Sequence, residues 1–521
     1  MTSTIRPRIL VAILVLLLLV ACGPAEQEPW PTLAPSPSVT DQEALPTRSP
    51  LPGKVPTWTA PPPTATRPFA SPTPNPTRVG RAEIEEGTHE HLVQYGESLG
   101  LIALQYGTTI EAVMEANGLT NSDDLQAGQT LLVPAGLIPT GPAEKLVPDS
   151  ELVYGPAFSH FDVATFAIKW GGYLTGYTEE VEGRLIGGPE IVQLVSQRYS
   201  VGPRLLLALL ELQAGWVTEP APAEETLFYP MGRVEEGWDG LFSQLSWVAN
   251  QLNRGYYGWE AGWLRNLELS DGALAQLAPE LNAGTVAVQS YLALHNSLPA
   301  WDAQVSWDGS FADVYRTFFG DPFRYAIEPL TPPGLTQPEM ALPWGAGEMW
   351  YFTGGPHGAW GSGSGWAALD FVPADDSLGC NPSPEWVRAI ATGRVLRSEN
   401  GEVLVDMDDD GYEGTGWVVL YLHVHSDGRV PEGTWLETGD KIGHPSCEGG
   451  FGDATHLHLA RRYNGRWIEA DGPIPFVMGG WTAIGYSVEY NGALIKGDLT
   501  REATVGVRDP EINGIAAGPA R

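Results

Sequence analysis

Read from the N-terminus, the spacing of apolar positions changes repeatedly, and each change marks an expected segment. Residues 9–20 are continuously apolar behind Arg6 and Arg8. A basic flank followed by so short a run predicts a targeting segment rather than a membrane span. Residues 24–77 have no hydrophobic period: Pro, Thr, Ser and Ala recur, as in Pro61-Pro62-Pro63 and Ser71-Pro72-Thr73-Pro74. Such a stretch cannot build a core and predicts a semi-rigid spacer of about 3 Å per residue. Past His91, Leu99, Ile102, Ala103 and Tyr106 recur at helical spacing. Thr109 then precedes a second stripe, Ile110, Val113 and Met114, and Leu131-Leu132-Val133-Pro134 closes the unit. The order predicted is strand, helix, helix, strand.

From 152 to 330 the period stays helical. Ile191, Val192, Leu194, Val195 and Tyr199 form one stripe, 205–210 is a nearly all-apolar buried segment, and Phe242, Leu245, Trp247, Val248 and Leu252 form another. From 342 onward, runs such as Gly401-Glu402-Val403-Leu404-Val405-Asp406 and Trp417-Val418-Val419-Leu420-Tyr421-Leu422 alternate with Gly, Asp and Pro turns, which predicts an antiparallel sheet. The expected organisation is a leader at 1–22, a Pro-rich linker at 23–88, a small unit at 89–136, a helical domain at 150–330, a β domain at 340–500 and a C-terminal tail at 501–521. Length and composition agree, since 521 residues exceed one typical domain and the 45 prolines crowd near the N-terminus. The balance of 29 basic against 63 acidic residues, net −34, argues against nucleic acid or anionic headgroups as partners.

Candidate chemistry concentrates in the β region. In Gly450-Phe451-Gly452-Asp453-Ala454-Thr455-His456-Leu457-His458-Leu459-Ala460, side chains of a strand alternate faces. His456 and His458 therefore share one face while Leu457 and Leu459 take the other. Gly354-Gly355-Pro356-His357-Gly358 and Ala368-Leu369-Asp370-Phe371 supply a third imidazole and a carboxylate, and Tyr421-Leu422-His423-Val424-His425 another histidine pair. Imidazole nitrogens with one carboxylate oxygen suit Zn²⁺ with a position left for water. There is no His-Glu-x-x-His motif. Asp406-Met407-Asp408-Asp409-Asp410-Gly411 opens like a calcium loop, but Trp417 stands twelfth, where a bidentate Glu is needed, so a hairpin turn is expected.

The order His, Asp, Tyr-x-His, His-x-His resembles the M23 zinc endopeptidases (LytM, lysostaphin and β-lytic type) that cut bacterial cell-wall peptides, over roughly 342–490. Position by position, the resemblance implies that His357, Asp370 and His458 are zinc ligands and that His423 and His456 are the catalytic histidines. His425 and His444 are neighbours without a family match. The Gly/Ser-rich stretch 358–369 between the first His and the Asp is longer than the commonest family spacing, as in the β-lytic branch. Residues 89–136 resemble a LysM domain at Gly96, Leu99, Ile102, Ala103, Tyr106, Asn117, Gly128 and Pro134, with Glu97-Ser98 in place of Asp-Thr. That resemblance implies glycan binding through Gly96, Glu97, Ser98 and Leu99 and the turn at 121–125. More weakly, Val201-Gly202-Pro203-Arg204-Leu205-Leu206-Leu207-Ala208 and Leu281-Asn282-Ala283-Gly284 resemble lysozyme-like lytic transglycosylases. Gln213-Ala214-Gly215 stands where that family places its catalytic Glu, and Glu211 points elsewhere on the helix, so no catalysis is expected there.

Leu19-Val20-Ala21-Cys22-Gly23 resembles a bacterial lipobox, implying lipidation at Cys22 and an extracytoplasmic protein anchored to a membrane. Cys380 and Cys447 then remain as an even pair in an oxidising compartment, where a disulfide is expected. The fold expected is thus multidomain: a βααβ LysM unit, an α-helical lysozyme-like middle region and a mostly antiparallel-β M23 peptidase domain. The function expected is a membrane-tethered zinc endopeptidase acting on peptidoglycan. A non-catalytic wall-binding lipoprotein that recruits other hydrolases, and an extracellular protease for Gly-rich proteins, remain as alternatives.

Overall fold

Every residue of the strand Trp417–Leu422 is buried, although a sheet with one wet face would alternate. The reason is that both faces are covered. Val419 and Tyr421, with Val403, Val405, Leu457 and Leu459, enter one apolar core within the β domain. Val418 and Leu420, with Leu404, Ala460 and Trp467, enter a second core made mainly of helices. The continuous apolar run that reads as a central strand is therefore the trace of a helical domain packed on the sheet. The computed structural model describes residues 87–518 apart from 95, 137, 376–378, 451 and 453. The expected leader, Cys22 and the Pro-rich linker up to residue 86 lie outside the described residues, and residues 87 and 88, expected to end that linker, begin a strand.

Among the described residues the main sheet has nine antiparallel strands, ordered Trp435–Leu436, Gly393–Glu399, Glu402–Asp406, Trp417–Leu422, Leu457–Tyr463, Ala368–Pro373, Met349–His357 and Gly514–Ala516, with Arg466–Trp467 beside Leu457–Tyr463. Of the residues 501–521 expected as a tail, those up to 518 instead supply an edge strand and its approach. Ile515 is fully buried, and the Asn513 amide donates to the carbonyls of Phe352 and Val507 at 3.1 and 2.8 Å. Three residues around a glycine carry too little pattern to announce a strand.

The helical domain follows the apolar stripes. Leu205 to Leu210 are all at 0 % exposure in the helix Pro203–Ala214, which opens on proline, where a missing N–H costs nothing, and ends at Gly215 in the left-handed conformation. The 20-residue helix Leu241–Glu260 packs against Ala283–Ala293 and Gly188–Tyr199. Charges cross the boundary with the sheet. Arg198 pairs with Glu182 at 2.6 Å and faces Glu402 at 3.9 Å; Glu402 holds Arg397 at 2.6 Å; Glu413 binds both Arg397 and Arg462, and Arg462 donates to the Gln197 carbonyl at 3.1 Å. No helix among the described residues is long and apolar enough to cross a membrane.

The small unit has the expected order. Strands Gly87–Leu92 and Thr130–Ala135 pair antiparallel around helices Leu99–Tyr106 and Ile110–Asn117, each capped by the hydroxyl the sequence supplies, Ser98 and Thr109. Its core is Val93, Leu99, Ile102, Ala103, Val113, Leu131 and Val133. It leans on the helical domain through the Asn266 amide, which donates to the carbonyls of Leu104 and Gln105.

Because Glu413 satisfies two buried arginines, Glu413→Ala leaves both guanidinium groups short of a partner. The expected loss is about 3–5 kcal/mol. In urea titrations followed by far-ultraviolet circular dichroism and by tryptophan fluorescence, both signals should shift together to lower urea, because the two cores share one sheet.

Candidate metal centre

Register brings the first two groups together. His458 lies directly opposite Asp370 on neighbouring antiparallel strands, and both project from the sheet face opposite Leu457, Leu459 and Phe371. The next strand ends at His357, and its Gly354 is paired with Asp370. A side chain at Gly354 would put Cβ 2.5 Å from the Asp370 Oδ2, so only glycine leaves the carboxylate room.

Each imidazole is oriented from behind. His357 Nδ1–H donates to the Gly355 carbonyl at 2.8 Å, which leaves the Nε2 lone pair facing the site. His458 Nε2–H donates to the Ala359 carbonyl at 2.9 Å, which leaves Nδ1. The stretch 358–369 is thus folded so that its Ala359 carbonyl closes over the second histidine. The two facing nitrogens lie 3.0 Å apart, and Asp370 Oδ1 lies 3.3 Å from His357 Nε2 and 3.2 Å from His458 Nδ1. These are close to the edge of about 3.3 Å that a tetrahedron with zinc–ligand bonds of 2.0–2.1 Å requires. Asp370 Oδ1 is buried and accepts no hydrogen bond. Two lone pairs and an orphaned carboxylate oxygen converging in a buried place repel one another unless a cation joins them, so the donor set fits a metal. Burial pushes the Asp370 carboxyl up, but His357, His456 and His458 outweigh it and hold it well below the usual carboxylate range.

His423 and His456 stand beside this triad with ring centroids 4.3 Å apart. Each gives its Nδ1–H to a carbonyl, Glu448 at 3.0 Å and Ala454 at 2.7 Å, and presents Nε2. The Nε2 of His456 is 3.8 Å from Asp370 Oδ1. His423 is held at φ 66°, a left-handed conformation uncommon outside glycine. The remaining β-domain histidines stay apart: His425 faces Glu448 at 3.3 Å, and the His444 ring lies tilted against Trp386 with centroids 3.9 Å apart. His89 lies on a strand of the small unit.

Two groups here escape a reading by motif. Tyr490 stacks on His357 at 4.2 Å, and Glu489 accepts from the Gly358 N–H at 3.0 Å. Both sit on a turn far downstream, and the only sequence signal is the turn dipeptide Asn491-Gly492. Elsewhere the expected groups divide. Leu99 is 1 % exposed, so its side chain belongs to the core. Glu97 is tied to His91 at 2.9 Å, and Ser98 caps its helix while remaining, like Gly96, exposed. Glu211 receives the N–H groups of Val217 and Thr218 at 3.0 and 3.1 Å, a loop-fixing role, and Gln213 donates to the Tyr291 hydroxyl at 3.4 Å. Asp406, Asp408 and Asp410 cluster within the hairpin connection that joins Glu402–Asp406 to Trp417–Leu422, and they accept N–H groups of that same turn.

Comparison with known proteins agrees with this division. A LysM domain model matches residues 91–134, and the model "LasA, N-terminal domain" matches 145–332, the helical domain. Protease LasA of Pseudomonas aeruginosa is 28 % identical over 310 residues, covering 54 % of this chain and 68 % of that protein. N-acetylmuramoyl-L-alanine amidase sle1 of Staphylococcus epidermidis is 37 % identical over 84 residues, 16 % of this chain and 24 % of that one. Among solved structures, the M23 metalloprotease pseudoalterin aligns at 23 % identity over 32 % of this chain and 96 % of its own, with a TM-score of 0.27. The chain carries a LysM domain, and its β domain resembles M23-type peptidases. The helical domain that lies between them matches the LasA N-terminal model, and the lysozyme-like reading of it gains no support from these matches.

Within the M23-type domain Cys380 and Cys447 are joined, with Cα atoms 5.3 Å apart and a sequence separation of 67. Cys447 directly precedes Glu448, whose carbonyl orients His423. Reduction should therefore cost about 4 kcal/mol by releasing loop entropy in the unfolded chain. Urea midpoints measured with and without reductant, alongside thiol labelling, test this: a midpoint unmoved by complete reduction contradicts it.

Proposed function

We propose that this chain is a zinc endopeptidase that cuts peptides of bacterial peptidoglycan and is held to its substrate by the LysM domain. The observation that carries the reading is the buried triad of His357 Nε2, His458 Nδ1 and Asp370 Oδ1, three polar atoms 3.0–3.3 Å apart whose two nitrogens are left as acceptors once the other ring nitrogens donate to carbonyls. These three residues would hold a zinc ion, which when bound would supply a Lewis acid for the scissile carbonyl and make an attacking water more acidic. The chain's own work falls to the two histidines beside it. With each Nδ1–H given to a carbonyl, His423 and His456 both offer Nε2, one to take the proton of the attacking water and the other to steady the developing oxyanion. No carboxylate is needed as general base, consistent with the missing His-Glu-x-x-His motif. The homology to protease LasA supports peptide cleavage, and the sle1 match, together with the LysM domain, supports cell-wall glycan as the anchor.

Groups that hold the metal and groups that move protons should fail differently. His357→Ala, Asp370→Ala and His458→Ala should lose zinc and activity together. His423→Ala and His456→Ala should keep zinc while turnover falls roughly 10²- to 10⁴-fold. Metal analysis beside release of peptide fragments from purified sacculi, with a Gly-rich protein as the competing substrate, reads both. Loss of zinc from His423→Ala as complete as that from His458→Ala would falsify the division of roles. A parent that binds zinc yet releases nothing from either substrate is the non-catalytic wall-binding protein, and a parent that cuts only the Gly-rich protein is a protease of another substrate class.

The LysM arm is tested separately. A chain beginning at residue 137 should cosediment far less with insoluble peptidoglycan than one beginning at 87, while cutting a small soluble peptide at the same rate. Equal sedimentation of the two removes the glycan-anchoring role.

A further inference from the structure

The turn 358–367 does more than connect two strands of the sheet. Its Ala359 carbonyl fixes the tautomer of His458, and the turn is itself clamped from two sides. On one side Glu489 receives the Gly358 N–H at 3.0 Å. On the other stands the long helix Leu241–Glu260 of the helical domain. There Asn250 Oδ1 accepts from the Gly363 N–H at 2.8 Å, and Asn250 Nδ2 donates to the Ser362 hydroxyl at 3.2 Å. Trp360 lies against Tyr199 and Arg198 of the neighbouring helix, and the Gly365 backbone rests on the Tyr257 ring. The approach at Gly363 is so close that any side chain there would strike the Asn250 carbonyl oxygen. Inside the turn the Ser364 hydroxyl ties Trp360 N to the Gly361 carbonyl, each at 3.0 Å, so a displacement at Gly363 is passed to the residues flanking Ala359.

We propose that Asn250 is a positioning residue for the metal ligand His458, and that the helical domain is thereby a working part of the metal centre rather than a spacer between the LysM and M23-type domains. The proposal rests on reading His357, Asp370 and His458 as the ligands. Partners that hold a ligating imidazole by its far nitrogen are worth about 10- to 100-fold in metal affinity. Asn250 acts through the turn, at one remove from that partner, so its loss falls at the lower end, about 10-fold. Apart from Ala359, Trp360, Trp366 and Ala367 the turn is glycine and serine, and its two alanines pack into the core of the helical domain rather than into one of its own.

The experiment uses the full chain with zinc, and with cobalt as a visible-light reporter of ligand geometry. Asn250→Ala should weaken zinc about 10-fold in chelator competition, shift the cobalt absorption bands, and lower kcat with KM unchanged. Asn250→Asp keeps an oxygen for the Gly363 N–H and should restore the parent affinity and spectrum. Gly363→Ala, with Asn250 intact, should reproduce the loss by pushing the turn off the helix. Should Asn250→Ala melt early, the last two variants carry the comparison. Parent-like affinity and spectrum in Asn250→Ala and Gly363→Ala overturn the proposal, and so does an Asn250→Asp chain as weak as Asn250→Ala. A parent chain that takes up no metal overturns the ligand reading itself, and the proposal with it.

Discussion

The pairing of His458 opposite Asp370 is the constraint on which the rest of the site depends. A slip of one residue between those strands would turn His458 into the apolar core and bring Leu457 or Leu459 to the site. The slip is opposed on both faces of the sheet. Leu457 and Leu459 are fully buried among the aromatic residues of the β core, and Ala460 is fully buried against the helical domain. Burial of each leucine contributes about 1.5–3 kcal/mol, so the register is held by far more than any one polar contact. The metal-ready geometry is thus a by-product of a sheet packed on both sides.

That double packing also gives the helical domain its meaning. A sheet with one solvated face would show alternation in its central strands, and a detachable domain would meet it through a polar surface. Here Val418, Leu420 and Trp467 are committed to the helices, and the chain of charges from Glu182 to Arg462 crosses the same boundary. Buried ion pairs of this kind add little net stability over an apolar substitute, but they are costly to break. They therefore fix one docking geometry more than they strengthen it. The turn over His458 is built at the rim of that interface, where the fixed geometry reaches the site.

Much of the site was legible because its residues obey short-range rules. The His-x-His spacing put His456 and His458 on one strand face, and Leu457 and Leu459 lie in the opposite core as alternation requires. The LysM order was legible for the same reason: hydroxyl caps and helical stripes are local signals. The pattern failed where the deciding partner is distant. Tyr490 and Glu489 reach His357 and Gly358 only because their turn is bonded to the His357 strand, through Gly355 N–H to the Tyr490 carbonyl at 2.7 Å. The strand Gly514–Ala516 is too short for a period. The continuous run Trp417–Leu422 was read as a strand, yet its real message, that a domain covers the outer face, needed the helices in place.

His423 shows how the site carries strain without losing order. A left-handed residue with a ring side chain costs of order 1–3 kcal/mol and persists only where its surroundings over-determine it. Here its carbonyl accepts both the N–H and the hydroxyl of Ser446, at 2.7 and 3.0 Å, while its Nδ1–H is taken by the Glu448 carbonyl. Three hydrogen bonds at about 1 kcal/mol each are enough to offset that cost. All three come from the segment 446–448, and Cys447, between the two partners, is bonded to Cys380 on another loop. The disulfide therefore stands where it limits the motion of the segment that holds His423 in its strained conformation. The sharp reversal at His423 turns its ring toward His456 instead of continuing the alternation of Trp417–Leu422. An unstrained strand would have carried the next residue past the site. The strain is what brings the second imidazole within 4.3 Å of the first.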